Sequence, residues 1–398
     1  MARYGWAAVA FVVLLVHAPS LEGVFHYDDD HSIVRNTSIR ELSRIPSYFV
    51  DPDLFSADPG RGMFRPVLLT SYAINRALLG ATAGGFLVVN LLIHAANAAL
   101  VALIARHWLT MTSGVAAGLL FGLHPLSTEP VNYASARSDS LVAFFVLLTI
   151  QLALHRGHGL HFRARSTAAA ALALLTKSTA IVTAPLLMVV DWLEKGAGSW
   201  TSLVRRHRLV IGLSGLYLLL IWMNGFLPRS LEREAIPLVQ RLMTQVKALI
   251  HYLQTLVMPV ALSPEPPFLL STSASLVVLC ALALLASLVV VVIALNRQRF
   301  RGPMAFALWM ICCLAPAGLA PLNVLVNDRR LYLPMAGVAI AVAAFGPLLR
   351  RGRWTHGMVV GSLVLLVLLA LLSLQRSQIW ADDLQLWQDA VTTGPMMP

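Results

Sequence analysis

MARYGWAAVAFVVLLVHAPSLEGVFHYDDDHSIVRN, residues 1–36, decides how this chain is read. An apolar run with the length of a bilayer crossing gives way abruptly to three consecutive aspartates, Asp28, Asp29 and Asp30. Adjacent carboxylates repel one another, so each must be solvated or paired. Residues 1–20 also carry the layout of a cleavable leader, with Arg3, an apolar core and then small residues. The apolar character resumes through Leu21 to Phe25, and many later spans make a leader unnecessary. The run is therefore read as a retained first span with an acidic loop beside it.

The rest of the chain repeats that theme. Of 398 residues, 58% are hydrophobic and only 12% charged, where a water-soluble domain carries about 25%. Further apolar stretches lie near 86–105, 113–124, 139–154, 167–176, 179–193, 209–224, 272–295, 304–322, 331–349 and 356–374, with an amphipathic stretch at 64–79. Two of them, 113–124 and 167–176, are short and need polar or interfacial residues buried in the bundle. The expected fold is all-α, a polytopic membrane helix bundle of roughly eleven spans with a large first extracytoplasmic loop. Cys280, Cys312 and Cys313 sit inside apolar runs without a paired spacing, which argues against a disulfide framework or zinc site.

Charge orients the bundle. With the N-terminus on the cytoplasmic side, short loops there hold 15 Lys/Arg and two acids, Asp191 and Glu194; the other side holds 15 Lys/Arg and 17 acids. The basic residues tie in number, but the first set is packed into short juxtamembrane loops, the arrangement that fixes the inside. The net charge of +11 thus belongs largely to a face suited to anionic lipid, and nucleic acid is not needed as a partner. The aspartate triplet faces the periplasm or lumen.

On that same side fall FHYDDDHSIVRN (25–36), GLHPLSTEPVNYASARSD (122–139), LLTKSTA (174–180), QRLMTQVKALIHYLQTLVMP (240–259) and VNDRRLYLP (326–334). Together they supply a cavity with an acidic pole and a cationic pole. A transferase that moves a sugar from a lipid phosphate needs a carboxylate to take the acceptor's proton and cations to hold the departing phosphate. Asp28 or Asp29 suits the first task, with Glu129 orienting the acceptor or assisting the base. Lys177, Arg137, Arg241, Lys247, Arg329 and Arg330 suit the second, arginine above all because its planar fork binds phosphate bidentately. Each feature also has a plainer reading: a solvated Asx-turn for the triplet, a helix N-terminal charge for Glu129, interfacial anchors for the cations. Asn90, His94 and Asn97 recur on one helix face and are expected to bond between helices. Asp28, Asp29 and His31 form a weak divalent-cation pattern, so a divalent cation stays open and no cofactor is required.

The order of these segments is more specific than any one of them. FHYDDDHSIVRN, FRPVLLTSYAINRALLG (64–80), FLVVNLLIHAANAAL (86–100), the His-Pro-x-x-Thr-Glu and Arg-x-Asp segment at 117–148, LLTKSTAIVTAPLLMVVDWL (174–193), YLQTLVMPVALSPEP (252–266) and NDRRLYLPMAG (327–337) resemble the multispanning C-type glycosyltransferases. Within that class the chain is most similar to the transmembrane and tetratricopeptide-repeat O-mannosyltransferases. The family commonly has Lys-Glu where this chain has Lys177-Ser178. The resemblance implies Asp28, Asp29 and Glu129 as catalytic acids. It implies Lys177 and Arg329 or Arg330 near the lipid phosphate; Arg65, His124, Arg137, Asp139, Arg241 and Tyr332 complete the candidate substrate-binding residues, and no metal ligand is assigned. It further implies a polyprenyl-phosphate sugar donor, a hydroxyl-bearing protein acceptor and inversion of a single, mannose-like sugar. The Ala/Leu/Arg-rich composition points to a high-GC bacterium, hence an inner-membrane protein with a periplasmic site.

Residues 1–375 read as the membrane transferase domain. Residues 376–398 read as an amphipathic extracytoplasmic tail, similar to the linker into that family's repeats, although no 34-residue repeat follows in this sequence. Two rival readings are a transporter or flippase of a lipid-linked substrate and a non-catalytic envelope scaffold. The first predicts inverted repeats and midplane charges, which are not found in the sequence. The second predicts loss of the Asp/Glu set, which is retained.

Overall fold

Lipid offers backbone N–H and C=O groups no partner, so apolar runs of this length must close their hydrogen bonds within helices. The computed structural model describes residues 4–155, 160–195, 200–231, 236–260, 262–266, 268–297, 301–319, 324–349 and 356–393. Its α-helices are, in chain order, α1 (Gly5–His17), α2 (Pro66–Leu79), α3 (Ala83–Trp108), α4 (Met111–Leu123), α5 (Thr128–Asn132), α6 (Arg137–Leu154), α7 (Leu160–Thr176) and α8 (Thr183–Lys195). Then follow α9 (Trp200–Met223), α10 (Phe226–Leu231), α11 (Leu238–Val257), α12 (Leu276–Arg297), α13 (Arg301–Leu319), α14 (Tyr332–Leu349), α15 (His356–Ile379) and α16 (Asp383–Thr393). No strand occurs among the described residues.

Six described helical stretches are long and apolar enough to cross a membrane: 5–22, 83–108, 134–154, 201–223, 276–294 and 356–379. Met111–Leu123 and Gly302–Gly318 are shorter apolar helices, so several stretches counted as spans from hydropathy fall below that length here. The protein is an integral, multi-pass membrane protein. Six of the basic residues counted on the cytoplasmic side, Arg3, Arg156, Arg299, Arg350, Arg351 and Arg353, lie outside the described residues.

Small residues bring the first helices together. On α4, Gly114, Gly118 and Gly122 recur every fourth position and face α3 and α1. A Cβ on Gly118 would lie 2.8 Å from the Ala102 Cβ and the Ala98 carbonyl oxygen, so only glycine permits this approach. Polar residues then join the helices. Asn90 donates to the Tyr133 carbonyl (2.9 Å), Asn97 to the Ser140 carbonyl (2.8 Å), and His94 Nδ1 meets the Tyr332 hydroxyl (2.7 Å). That is the interhelical bonding expected of this face.

The connections at one end of the bundle meet, and this is what builds the site. Loop 23–65, loop 124–136, the start of α6, Lys177, segment 324–331 and the turn into α16 are cross-linked there by the contacts described below. At the other end, Asp191 pairs with Arg206 and His207 (both 2.9 Å) and His107 with Glu194. The tail is part of the fold. Trp380 is fully buried, stacked on Tyr133 at 6.0 Å and edge-on to His26, and Arg376 pairs with Asp389. Its apolar set divides: Leu386 is buried, whereas Leu384 and Trp387 are exposed.

Candidate functional site

The three aspartates have three different environments. Tyr27, just before them, adopts a left-handed backbone conformation (φ 43°), and Asp30–Val34 forms a single π-helical turn. Both are local departures that only surrounding contacts sustain. The twist turns Asp29 inward, where it is fully buried. One carboxylate oxygen accepts the Ser135 N–H (2.7 Å) and the other the His26 N–H (3.0 Å). Burial raises its pKa to about 6, against the pull of those bonds. Asp30 faces solvent and pairs with Arg35 (2.7 Å), which reaches on to Asp58 (2.9 Å).

Asp28 lies between these extremes, its side chain 53% exposed but held by hydrogen bonds to its neighbours. Its N–H donates to the Tyr133 hydroxyl (3.0 Å), and its carboxylate lies 3.1 Å from His31 Nε2. That hydrogen bond, with help from Arg329, holds the carboxyl below its ordinary range despite partial burial. The sequence leaves Asp28 and Asp29 as equal candidates for the base. The geometry separates them: Asp29 latches the first loop to the second, and Asp28 keeps a half-exposed carboxylate.

Glu129 comes from α5, in the second loop. Proline at the third position of its Thr-Glu-Pro sequence suits the first turn, where no N–H is required. The side chain is buried, and burial pushes its carboxyl up to about 7, with Arg329 opposing. The Arg329 guanidinium lies 3.7 Å from the Glu129 carboxylate and over the face of Tyr133, 6.0 Å from its centroid. Burial works against the charge on Arg329, yet Glu129, Asp139, Tyr133 and Asp28 together raise its pKa. Beside it, the Lys177 ammonium meets Asp139 at 2.5 Å and the Ser138 hydroxyl at 3.3 Å. Burial lowers Lys177 to about 8 while Asp139 holds it up. Arg65, at the entry to α2 and over the Phe55 ring (5.2 Å), acts on the same Asp139 charge. Arg65, Lys177 and Arg329 are thus grouped about Asp139, and Arg329 also feels the charges of Glu129 and Asp28.

Other sequence candidates have different duties. His124 bonds the Leu256 carbonyl through Nε2 (3.2 Å) and takes the Leu126 N–H on Nδ1 (3.3 Å), so both ring nitrogens are spent on the loop. Arg330 donates to the Leu325 and Val324 carbonyls and shapes its own segment. The Tyr332 hydroxyl is fully buried against His94 and Asn97 (3.0 Å to Asn97). Arg241 and Lys247 are carried by α11, with Lys247 donating to the Leu269 carbonyl (3.1 Å). Among the described residues no three His, Cys, Asp or Glu side chains converge as a metal-ligand set.

Arg137 departs furthest from expectation. It is fully buried, donating to Asn90 (2.7 Å), Asn75 (2.6 Å) and the Phe86 carbonyl (2.8 Å), with Tyr72 and Phe86 rings over its guanidinium. It ties α2, α3 and α6 beneath the site and cannot reach a ligand. Arg137→Met leaves those acceptors unpaired and is expected to cost about 3–5 kcal/mol of stability, seen as a lower melting temperature in detergent.

Sequence reasoning passed over Tyr133 and gave His31 only a part in a weak metal pattern. Tyr133 sits in a quoted segment, but nothing in the sequence shows that its hydroxyl grips the Asp28 backbone. No protein-family model matches the chain. It is 34% identical over 200 residues to Protein O-mannosyl-transferase Tmtc1 of Drosophila melanogaster, covering 48% of this chain and 22% of that protein. It is 22% identical over 402 residues to Protein O-mannosyl-transferase F38B6.6 of Caenorhabditis elegans, covering 96% of this chain and 56% of that one. The chain therefore spans about half or less of these relatives' own length. Among solved structures, ArnT from Cupriavidus metallidurans bound to undecaprenyl phosphate superimposes with a TM-score of 0.56 at 15% identity, over 98% of this chain and 77% of that one. The chain has the membrane fold of the C-type glycosyltransferases, and in sequence it resembles the protein O-mannosyl-transferases.

Proposed function

We propose that the protein is an integral-membrane glycosyltransferase that moves one mannose-like sugar from a polyprenyl phosphate to a serine or threonine hydroxyl of a protein. The observation that carries this reading is the meeting of Asp28, Glu129, Arg329, Lys177 and Arg65, from five separate parts of the chain, at one end of the bundle. The relatives' names and the lipid phosphate bound by ArnT support the donor and acceptor classes. The charge distribution among the loops supports an extracytoplasmic site. Residues 1–375 form the catalytic membrane domain, and the tail buttresses its first loop through His26–Asp383 (2.9 Å) and the buried Trp380.

In this reading the lipid tail lies between spans and its phosphate rests against Arg329, Lys177 and Arg65. Asp28 accepts the acceptor's O–H proton as that oxygen attacks the anomeric carbon from the face opposite the phosphate. The carbon–oxygen bond to phosphate breaks, its electron pair leaves with the phosphate, and the sugar is inverted. The cations neutralise charge that grows on the leaving oxygen. Glu129 orients the acceptor and keeps Arg329 in place.

The test is to incubate purified protein with a panel of radiolabelled polyprenyl-phosphate sugars and serine/threonine-rich peptides. Mannose transfer with release of polyprenyl phosphate is expected; no consumption of any donor would reject an enzyme and favour a scaffold or transporter.

The same reading fixes a pH dependence. Lys177 binds phosphate only as ammonium, and its folded-state pKa is about 8. The Lys177 contribution is therefore complete below that value and is lost as pH rises through it, which sets the alkaline limb; ionisation of Asp28 sets the acid limb. In Lys177→Arg, which stays charged, the alkaline limb is expected to move upward or vanish from the pH–rate profile.

A further inference from the structure

We propose that His31 is a positioning residue for Asp28, its buried ring fixing the direction in which the Asp28 carboxylate is presented to the acceptor. This inference rests on Asp28 being the base.

The geometry is a clamp with three members. His31 Nε2 lies 3.1 Å from the Asp28 carboxylate, and Nδ1 lies 3.0 Å from the Ser56 hydroxyl. An ionised carboxylate only accepts, so Nε2 carries the hydrogen and Nδ1 accepts from Ser56 O–H. Both nitrogens are occupied, and the ring cannot turn over without losing both bonds. The ring's backbone is gripped as well: the Ala57 N–H donates to the His31 carbonyl (2.8 Å), and the Asp58 N–H to Ser56 Oγ (2.9 Å). The His31 side chain is only 7% exposed, while the carboxylate it holds is half open.

Local backbone makes the clamp fit. Asp28 and His31 are three residues apart, and the π-helical turn from Asp30 to Val34 with the left-handed Tyr27 sets their side chains edge to edge. Such single π turns are rare and recur at functional positions. On its other side Asp28 is fixed by its N–H on Tyr133. The charged and titratable groups facing His31 are Asp28 and, past Ser56, Asp58; Asp58 is itself paired with Arg35 (2.9 Å) and Arg61 (3.7 Å). The hydrogen bond from His31 is also the chief cause that keeps Asp28 below its ordinary carboxyl range. Removing that donor must raise the Asp28 pKa. The base then loses its ionised form at a higher pH.

The experiment compares His31→Leu with His31→Gln, whose amide nitrogen donates at about the reach of Nε2 but cannot titrate. With polyprenyl-phosphate mannose and a threonine-rich peptide, His31→Leu is expected to lower kcat about 10- to 100-fold with the donor KM unchanged. Its acid limb moves to higher pH, and His31→Gln restores most of kcat and the limb. A second readout needs no turnover: carbodiimide and glycine ester label only protonated carboxyls, so mass spectrometry of Asp28 labelling against pH reports its protonation directly. Labelling of Asp28 should begin at higher pH in His31→Leu than in the wild type or His31→Gln. An unchanged labelling curve and acid limb in His31→Leu, with only a lower melting temperature, would make His31 a loop staple and overturn the proposal. Full activity in Asp28→Asn would instead overturn the reading of Asp28 as base, and the labelling shift would still report on the clamp.

Discussion

Asp28→Asn is expected to lower sugar transfer by about 10²- to 10⁴-fold, the range a positioned general base supplies. The substitution keeps the side chain's size and its backbone bond to Tyr133. The half-exposed position means that little buried packing is disturbed. Melting temperature and donor binding should therefore stay near wild type while turnover collapses. The companion Asp29→Asn separates the two neighbours. Asp29 is fully buried and its oxygens accept the Ser135 and His26 N–H groups, so its loss should appear as instability and a loosened first loop. Turnover per folded molecule should fall less than in Asp28→Asn. The reverse ranking, with Asp29→Asn inert but fully stable, would move the base to Asp29.

Arg329→Ala carries the second large effect. The guanidinium lies 3.7 Å from the Glu129 carboxylate, and its charge is sustained by Glu129, Asp139 and Asp28. If it holds the departing phosphate, its removal should cost about 10²- to 10³-fold in kcat, as for other preorganised donors to developing negative charge. It should also raise the donor KM. Arg329→Lys should recover part of this, since ammonium supplies charge without the bidentate fork. A further consequence concerns Glu129. Burial already lifts its pKa to about 7, and Arg329 is the main force opposing that lift. Without the arginine the carboxyl is expected to stay protonated through neutral pH, so part of the loss in Arg329→Ala should be shared with Glu129→Gln. Activities of the two single variants and the double variant measure this coupling; strictly additive losses would separate the residues.

Particular residues show how far the sequence carried. Hydropathy placed the helices well because the bilayer forces apolar runs to be helical, and the amphipathic stretch 64–79 became α2 (Pro66–Leu79). The polar face of Asn90, His94 and Asn97 was equally legible, since residues three and four apart share a helix side. Span length was less so. The short helix Met111–Leu123 packs on its glycines against α3 and α1, a close approach that hydropathy alone does not reveal.

Within the site, residue type and order determined that acids and cations would gather among the loops of one end, because ionisable groups are excluded from lipid-facing positions. Only the tertiary structure decided which of them meet. Arg137 and Arg329 are the same side chain in two loop motifs, yet one is sealed in the bundle by Asn75, Asn90 and Phe86 and the other pairs with Glu129 and feels the charge of Asp28. Asp28 and Asp29 differ by one position, and a left-handed Tyr27 with the Ser135 N–H across the loop sends one outward and the other inward. Such choices depend on partners far away in the chain, from Asn90 for Arg137 to Glu129 for Arg329, and no local pattern encodes the direction in which a side chain finally points.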